Sequence, residues 1–299
     1  MWQVFSFFSV LSGTIEETLD KATMVGSRAV DIVGASWIRN AALLLITFLG
    51  GLILETHVPR LVWSMPILIL GTFYAVQALF YTGLLRHVEI TTSSLMDTFI
   101  PLIFLLVDIL FIGTPFLPRQ VIGIITLVIG GGLFFWKREN ITRMQMRLML
   151  AAFFFDLLIY GLESYSFKSL FATGSISAPD FLWSMWAVMV AVLSVMFIAV
   201  CGYQRTLPRV SQYAGYLRGS LKAKTADYIG SSLYLQALTL ASVSQVVAMK
   251  SIYPLILIGV AGVAQGHLKI NLDETLGRKT LFKKVLASGI ICVGVYLIH

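Results

Sequence analysis

Charge is scarce in this chain: of its 299 residues only 12% are Asp, Glu, Lys or Arg, against 58% that are hydrophobic. Soluble domains carry about 25% charge. Mean hydropathy is +0.85, and a water-soluble globule could not cover that much apolar surface. The deficit excludes a soluble enzyme, a disordered chain and a nucleic-acid-binding domain. Cysteine is nearly missing too. Cys201 and Cys292 both lie in apolar runs, which excludes a disulfide framework or a thiolate metal site. No Gly-x4-Gly-Lys-Ser/Thr phosphate loop, His-Glu-x-x-His zinc pair or Gly-x-Ser-x-Gly elbow is present, so no ATPase or hydrolase chemistry is indicated and no cofactor, metal or catalytic residue is assigned. His57, His87, His267 and His299 are scattered. The first residues, MWQVFSFFSVLSG, lack a basic region and a small-residue cleavage site; they read as a membrane helix, not a signal peptide.

What the chain has in quantity is long apolar runs. About 20 apolar residues cross the hydrocarbon core. Ten runs qualify: 2–24, 35–54, 62–85, 90–112, 119–136, 148–172, 181–203, 225–241, 244–267 and 281–298. The expected fold is therefore an all-α integral membrane protein of ten transmembrane helices with short loops. Successive loops alternate sides. The odd-numbered loops hold 16 Lys and Arg, including Lys224 and Lys284, while the even-numbered ones hold only Arg60 and Arg119. By the positive-inside rule the odd loops face the cytoplasm and both termini face the opposite side. The Asn140 sequon then lies in a cytoplasmic loop and goes unmodified. The net charge of +7 is thus mainly a topology signal, with membrane lipids as the bland partner of the basic loops.

The chain also repeats itself. Glu16-Glu-Thr-Leu-Asp-Lys21 and Glu163-Ser-Tyr-Ser-Phe-Lys168 share Glu-x4-Lys, 147 residues apart. Residues 79–103 align with 232–256, placing Tyr81 on Tyr234, Leu85 on Leu238, Met96 on Met249, Asp97 on Lys250 and Pro101 on Pro254. Residues 121–132 align with 285–296. The division expected is a first five-helix repeat over 1–136, a cytoplasmic linker over 137–147 and a second repeat over 148–299. Five is odd, so the second copy inserts upside down. Inverted repeats are typical of secondary transporters, whose substrate site lies near mid-membrane between the repeats.

On these features the chain resembles the drug/metabolite transporter superfamily, in its EamA-like branch. The residues carrying the resemblance are Lys21 and Lys168 in the first helix of each half, Arg39 at the start of the second span, and the Pro101 and Pro254 helix centres. Segment 272–295, LDETLGRKTLFKKVLASGIICVGV, is similar to that branch's Glu-containing turn and Gly-patterned last helix, with Glu274 in the Glu position. The first-half counterpart, 111–132, has no Glu in that turn. The resemblance implies a ten-helix carrier of small organic solutes such as amino acids, sugars, nucleotide-linked metabolites or amphiphilic cations.

Charges inside the spans are the functional candidates, because each costs about 2.5–3.5 kcal/mol at the bilayer centre. They are Glu16, Glu17, Asp20, Asp97, Asp108, Asp156 and Glu163 among acids and Lys21, Arg39, Lys168 and Lys250 among bases. Glu17 and Lys21 stand at i,i+4, in the favourable order for an ion pair. Glu16 and Asp20 share the neighbouring face, where one proton can serve two carboxylates. Inverted symmetry suggests two gating pairs, Lys21–Asp97 and Glu163–Lys250; fixed structural ion pairs are the plain alternative. Asp108 and Asp156 read as lying nearer helix ends, and Arg39 as a topology residue first. Tyr74, Gln77 and Tyr81 fall on one face of the third span and, with Tyr234, Glu16 and Glu163, are the substrate-binding candidates. Glu17, Asp20, Lys21, Asp97, Lys168 and Lys250 are the proton-coupling or gating candidates. Pro101 and Pro254 are the hinge candidates.

The function expected is secondary active transport of a small molecule, leaning cationic, zwitterionic or proton-coupled, with a proton or counter-substrate as coupling partner, by a monomer or homodimer in a cell membrane. An intramembrane lipid-handling enzyme and a channel-like or structural membrane protein are the alternatives.

Overall fold

The computed structural model describes all residues except 27–30, 56–58, 98, 101–117, 136–141, 175, 205–209, 242, 273–277 and 299. The described residues are all-helical. In chain order the helices are α1 (Trp2–Gly26), α2 (Ile32–Glu55), α3 (Met65–His87), α4 (Ile90–Asp97), α5 (Pro118–Phe135), α6 (Arg143–Ala172), α7 (Ala178–Gln204), α8 (Val210–Leu240), α9 (Val243–Met249), α10 (Tyr253–Gly266) and α11 (Arg278–Ile298). A 3-10 turn, Lys250–Ile252, joins α9 to α10.

Among the described residues, six segments are long and apolar enough to cross a membrane: Ile32–Ile53, Met65–His87, Arg143–Ala172, Ala178–Val200, Gln245–Gly266 and Thr280–Leu297. This is compatible with a multi-pass integral membrane protein. Apolar side chains such as Ile122, Ile125 and Ile129 of α5 and Val195 and Ile198 of α7 are exposed, as a lipid-facing surface requires. Helix α1 is outside the six, and its polarity is inside out. Ser6, Ser9, Ser12, Thr14, Glu17, Thr18, Asp20 and Lys21 are buried, while Val4, Phe7, Phe8 and Ile15 are exposed.

Two polar helices make the centre of the bundle. α1 packs along α8, the more polar of the two, and Ser12 donates to the Ala226 carbonyl across that contact (2.6 Å). α3 packs on α6, α2 on α7 and on α8, α3 on α7, and α1 on α10. α5 and α11 pair with each other. There Gly294 lets the backbones touch, since a Cβ on it would stand 2.8 Å from the Leu127 amide nitrogen and 2.9 Å from the Gly123 carbonyl.

The ends follow local rules. Thr142 caps α6 through a capping box with Gln145. Pro66 and Pro254 sit in the first turns of α3 and α10, where a missing N–H costs nothing. The sequence boundaries need one correction. The eighth span was expected at 225–241, but α8 begins at Val210, so Arg218, Lys222 and Lys224 are helical residues. The ninth, expected over 244–267, is a single candidate span over Gln245–Gly266 in which the α-helix breaks to a 3-10 turn at Lys250–Ile252. The fourth is described only over α4 and its neighbouring residues to Ile100; Pro101 and Asp108 lie outside the described residues.

Candidate functional site

The helices enclose a cavity of about 230 Å³ whose lining comes from α1, α2, α3, α4, α6, α7, α8, α9 and α10, and from Lys250 in the break. Five carboxylates face it, from Glu16, Glu17, Asp156, Glu163 and Asp227, against three bases, Arg39, Lys224 and Lys250. Tyr74, Tyr81, Tyr160, Tyr234, Tyr253 and Trp186 supply aromatic walls.

One pole of the cavity is a charge cluster between α1, α2 and α8. The Lys224 ammonium donates to Glu16, to Asp20 Oδ2 (3.1 Å) and to Asp227 Oδ2 (3.0 Å), with its own side chain only 3% exposed. The α1–α8 contact and the i,i+3 spacing of Lys224 and Asp227 put these groups together. Arg39 lies 3.5 Å from the same Asp20 oxygen, and its guanidinium stands 4.6 Å over the Tyr81 ring. Among the described residues Asp20 Oδ1 and Arg39 Nε have no hydrogen-bond partner although both are buried. Tyr253 donates to Glu17 Oε2 (2.5 Å), which ties α10 to α1.

The other pole belongs to α3, α6, α8 and the α9–α10 break. Tyr74 donates to Glu163 Oε2 (2.8 Å), and Gln77 donates to Asp156 Oδ1 (2.8 Å). Their i,i+3 spacing on α3 meets carboxylates seven residues apart on α6. Lys250 Nζ lies over two tyrosine rings, 3.6 Å from the Tyr160 centroid and 4.2 Å from the Tyr234 centroid. The Tyr234 and Ser164 hydroxyls share a hydrogen bond (2.7 Å) that fixes the second ring.

No family model and no curated protein matches the sequence. The chain is similar in fold to a solved crystal structure, at a TM-score of 0.65 over 99% of this chain and 95% of that one, with 14% sequence identity. That likeness concerns the fold alone.

The sequence-based candidates divide. Glu16, Tyr74, Gln77, Tyr81, Glu163 and Tyr234 all line the cavity, as do Glu17 and Lys250. Asp20 sits just behind the lining, bound to Lys224 and Arg39. Lys21 and Lys168 lie outside the lining, and each donates to backbone carbonyls at the end of another helix. Lys21 donates to the Leu85 and Val88 carbonyls (2.8 Å each) at the end of α3; Lys168 donates to the Ala241 carbonyl (2.5 Å) at the end of α8. The Asp97 side chain and Pro101 lie outside the described residues. Pro254 lies in the first turn of α10, just after the 3-10 turn Lys250–Ile252.

Four residues of the cavity were not singled out for this place. Asp156, expected nearer a helix end, stands mid-way along the 30-residue α6. Arg39, read first as a topology residue, is a cavity wall. Lys224 was counted as a loop base because the residues before it are polar. Asp227 lies just before the aligned segment 232–256, at the position that continues that match back to Tyr74.

Proposed function

We propose that this chain is a secondary transporter, moving a small organic solute by alternating access between two inverted five-helix halves. The observation that carries the reading is the charge-lined cavity built from both halves of the chain. Interior carboxylates and bases that are this costly in a bilayer mark a pathway by default. The helix pairing supports the repeat. Exchanging each first-half helix for its counterpart turns α1–α8 into α6–α3, α2–α8 into α7–α3 and α1–α10 into α6–α4, and returns α2–α7 and α5–α11 to themselves; each of those contacts exists. In this reading α4 opens the fourth of ten spans, and α9 with α10 forms the ninth. The short-motif resemblance to EamA-like drug/metabolite transporters points the same way, and the positive-inside rule places both termini outside the cytoplasm.

Glu16 and Glu163, repeat-matched and on opposite poles, are the groups whose charge the cycle uses. Glu16 shares Lys224 with Asp20 and Asp227, so a proton or a solute cation arriving there changes which carboxylate holds the lysine. Glu163, held by Tyr74, faces the aromatic pole. Reconstitution into proteoliposomes tests the reading, with uptake of a panel of small amines, amino acids and nucleotide-linked metabolites followed with and without a pH gradient. Saturable uptake of at least one solute, reduced about tenfold or more by Glu16→Gln and by Glu163→Gln, is the expected result, since each removes a charge-assisted contact of about 1.5–3 kcal/mol. Absence of saturable flux for every solute, together with no thermal stabilisation by any of them, overturns it.

A further inference from the structure

The aromatic pole already holds a cation, and it belongs to the protein. Lys250 Nζ is 3.6 Å and 4.2 Å from the centroids of Tyr160 and Tyr234, two rings set edge to face at 71° with their own centroids 6.4 Å apart. Two faces at that angle form an open cage for one ammonium group, and cation–π attraction is strongest where water is excluded. Tyr234 is fixed by Ser164, and the Glu163 and Asp156 carboxylates face the same space. The backbone that presents Lys250 is a 3-10 turn between two helices, a kind of element that often marks a hinge. Charge balance sets the sign of what the cavity receives. Its lining has five acids and three bases, and Asp20 behind it adds another acid.

We propose that Lys250 is a tethered stand-in for substrate: it occupies the Tyr160–Tyr234 cage when the cavity is empty, and the ammonium group of an organic cation takes its place. This rests on the transport reading and narrows it to solutes bearing an ammonium head. Occupation of the cage by Lys250 keeps the interior carboxylates partly neutralised between cycles. Competition then sets the affinity, because a ligand's apparent Kd is its intrinsic Kd divided by the fraction of time its site is open.

The test uses purified full-length protein in detergent, with tetramethylammonium chloride as the probe and sodium chloride at equal ionic strength as the control. Calorimetry should show tetramethylammonium binding about tenfold or more tighter to Lys250→Met than to the wild type, as removal of a mostly bound competitor requires. Lys250→Gln should gain similarly, and Lys250→Arg, which keeps a cation for the cage, should not. Adding Tyr160→Leu to Lys250→Met should abolish the gain. In the wild-type protein, tetramethylammonium should raise labelling of Lys250 by an amine-reactive reagent severalfold, read by peptide mass spectrometry. No gain in either lysine variant, a gain that survives loss of the Tyr160 ring, or unchanged Lys250 labelling overturns the proposal. So does sulfate binding that Lys250→Met abolishes, since Lys250 would then be an anion ligand. Binding is read without flux. Saturable uptake without ammonium binding would sink only the cage, and ammonium binding without any saturable uptake would sink only the transport reading.

Discussion

Lys224 is surrounded by more negative charge than any single partner can supply, and that makes it the residue whose loss is felt most. It contacts Glu16, Asp20 and Asp227 while almost fully buried. Removing one member of a buried ionic group leaves the remaining charges desolvated and uncompensated, at about 3–5 kcal/mol. Lys224→Met should therefore lower the thermal unfolding midpoint sharply, even though methionine fills nearly the same volume. Adding Asp20→Asn to Lys224→Met removes part of the stranded negative charge and should recover part of the midpoint. A double variant no more stable than the single one would show that Asp20 answers to Arg39 and not to Lys224. This cluster was half legible in the sequence. Glu16 and Asp20 stand out as charges in an apolar run, whereas Lys224 follows Arg218 and Lys222 and looks like one more loop base. A charge is recognised as interior only when its neighbours are apolar, and Lys224 lacks such neighbours. Arg218, Lys222 and Thr225 are exposed, while Lys224 alone of these turns inward to Glu16 and Asp20 of α1.

At the scale of elements, the two repeat-matched lysines act as helix stops. Cations at a helix C-terminus satisfy carbonyls that have no intrahelical donor. Lys21 does this for α3 and Lys168 for the end of α8. Lys21→Met and Lys168→Met should each cost about 1.5–3 kcal/mol, the range for hydrogen bonds to a charged group, seen as lower unfolding midpoints. A gating lysine would behave otherwise, changing flux with the midpoint unmoved. The α5–α11 pair makes a second case. Its contact at Gly294 is backbone against backbone, so the space a side chain needs cannot be found by turning a rotamer. Gly294→Val should destabilise the protein by about 1–3 kcal/mol or more, as overpacking does, measurable by the same unfolding assay. The repeat-matched Glu-x4-Lys was legible as a pattern, but its purpose was not. Spacing along one helix says which residues share a face, and only packing shows that Lys21 reaches the end of α3.

For the molecule as a whole, hydropathy locates the lipid-facing helices and under-reads the helices at the centre. Among the described residues six segments pass by apolarity and length, while α1 buries its polar groups and meets the inward-turned Lys224 of α8. A bundle arranged this way needs something to hold its outer pair to its centre. One fastening is Lys284 of α11, buried at 1% exposure, which donates to Glu89 Oε2 (3.1 Å) and Thr91 Oγ1 (2.6 Å) at the junction of α3 and α4. Lys21 meets the same junction through Leu85 and Val88, so α1, α3, α4 and α11 converge there. A solvated ion pair would contribute little, about 0–1 kcal/mol. This one is sheltered on the lysine side and shared with a hydroxyl, which places it nearer the charge-assisted range. Charge exchange separates the two cases. Glu89→Lys and Lys284→Glu should each lower the unfolding midpoint, the first by setting two ammonium groups together and the second by setting two carboxylates together. The double exchange should regain most of the loss, with a coupling of at least about 1 kcal/mol, within the range found for residues in direct contact. Losses that simply add would mean that α11 is held at this junction by apolar packing and that the ionic contact contributes nothing to the joint.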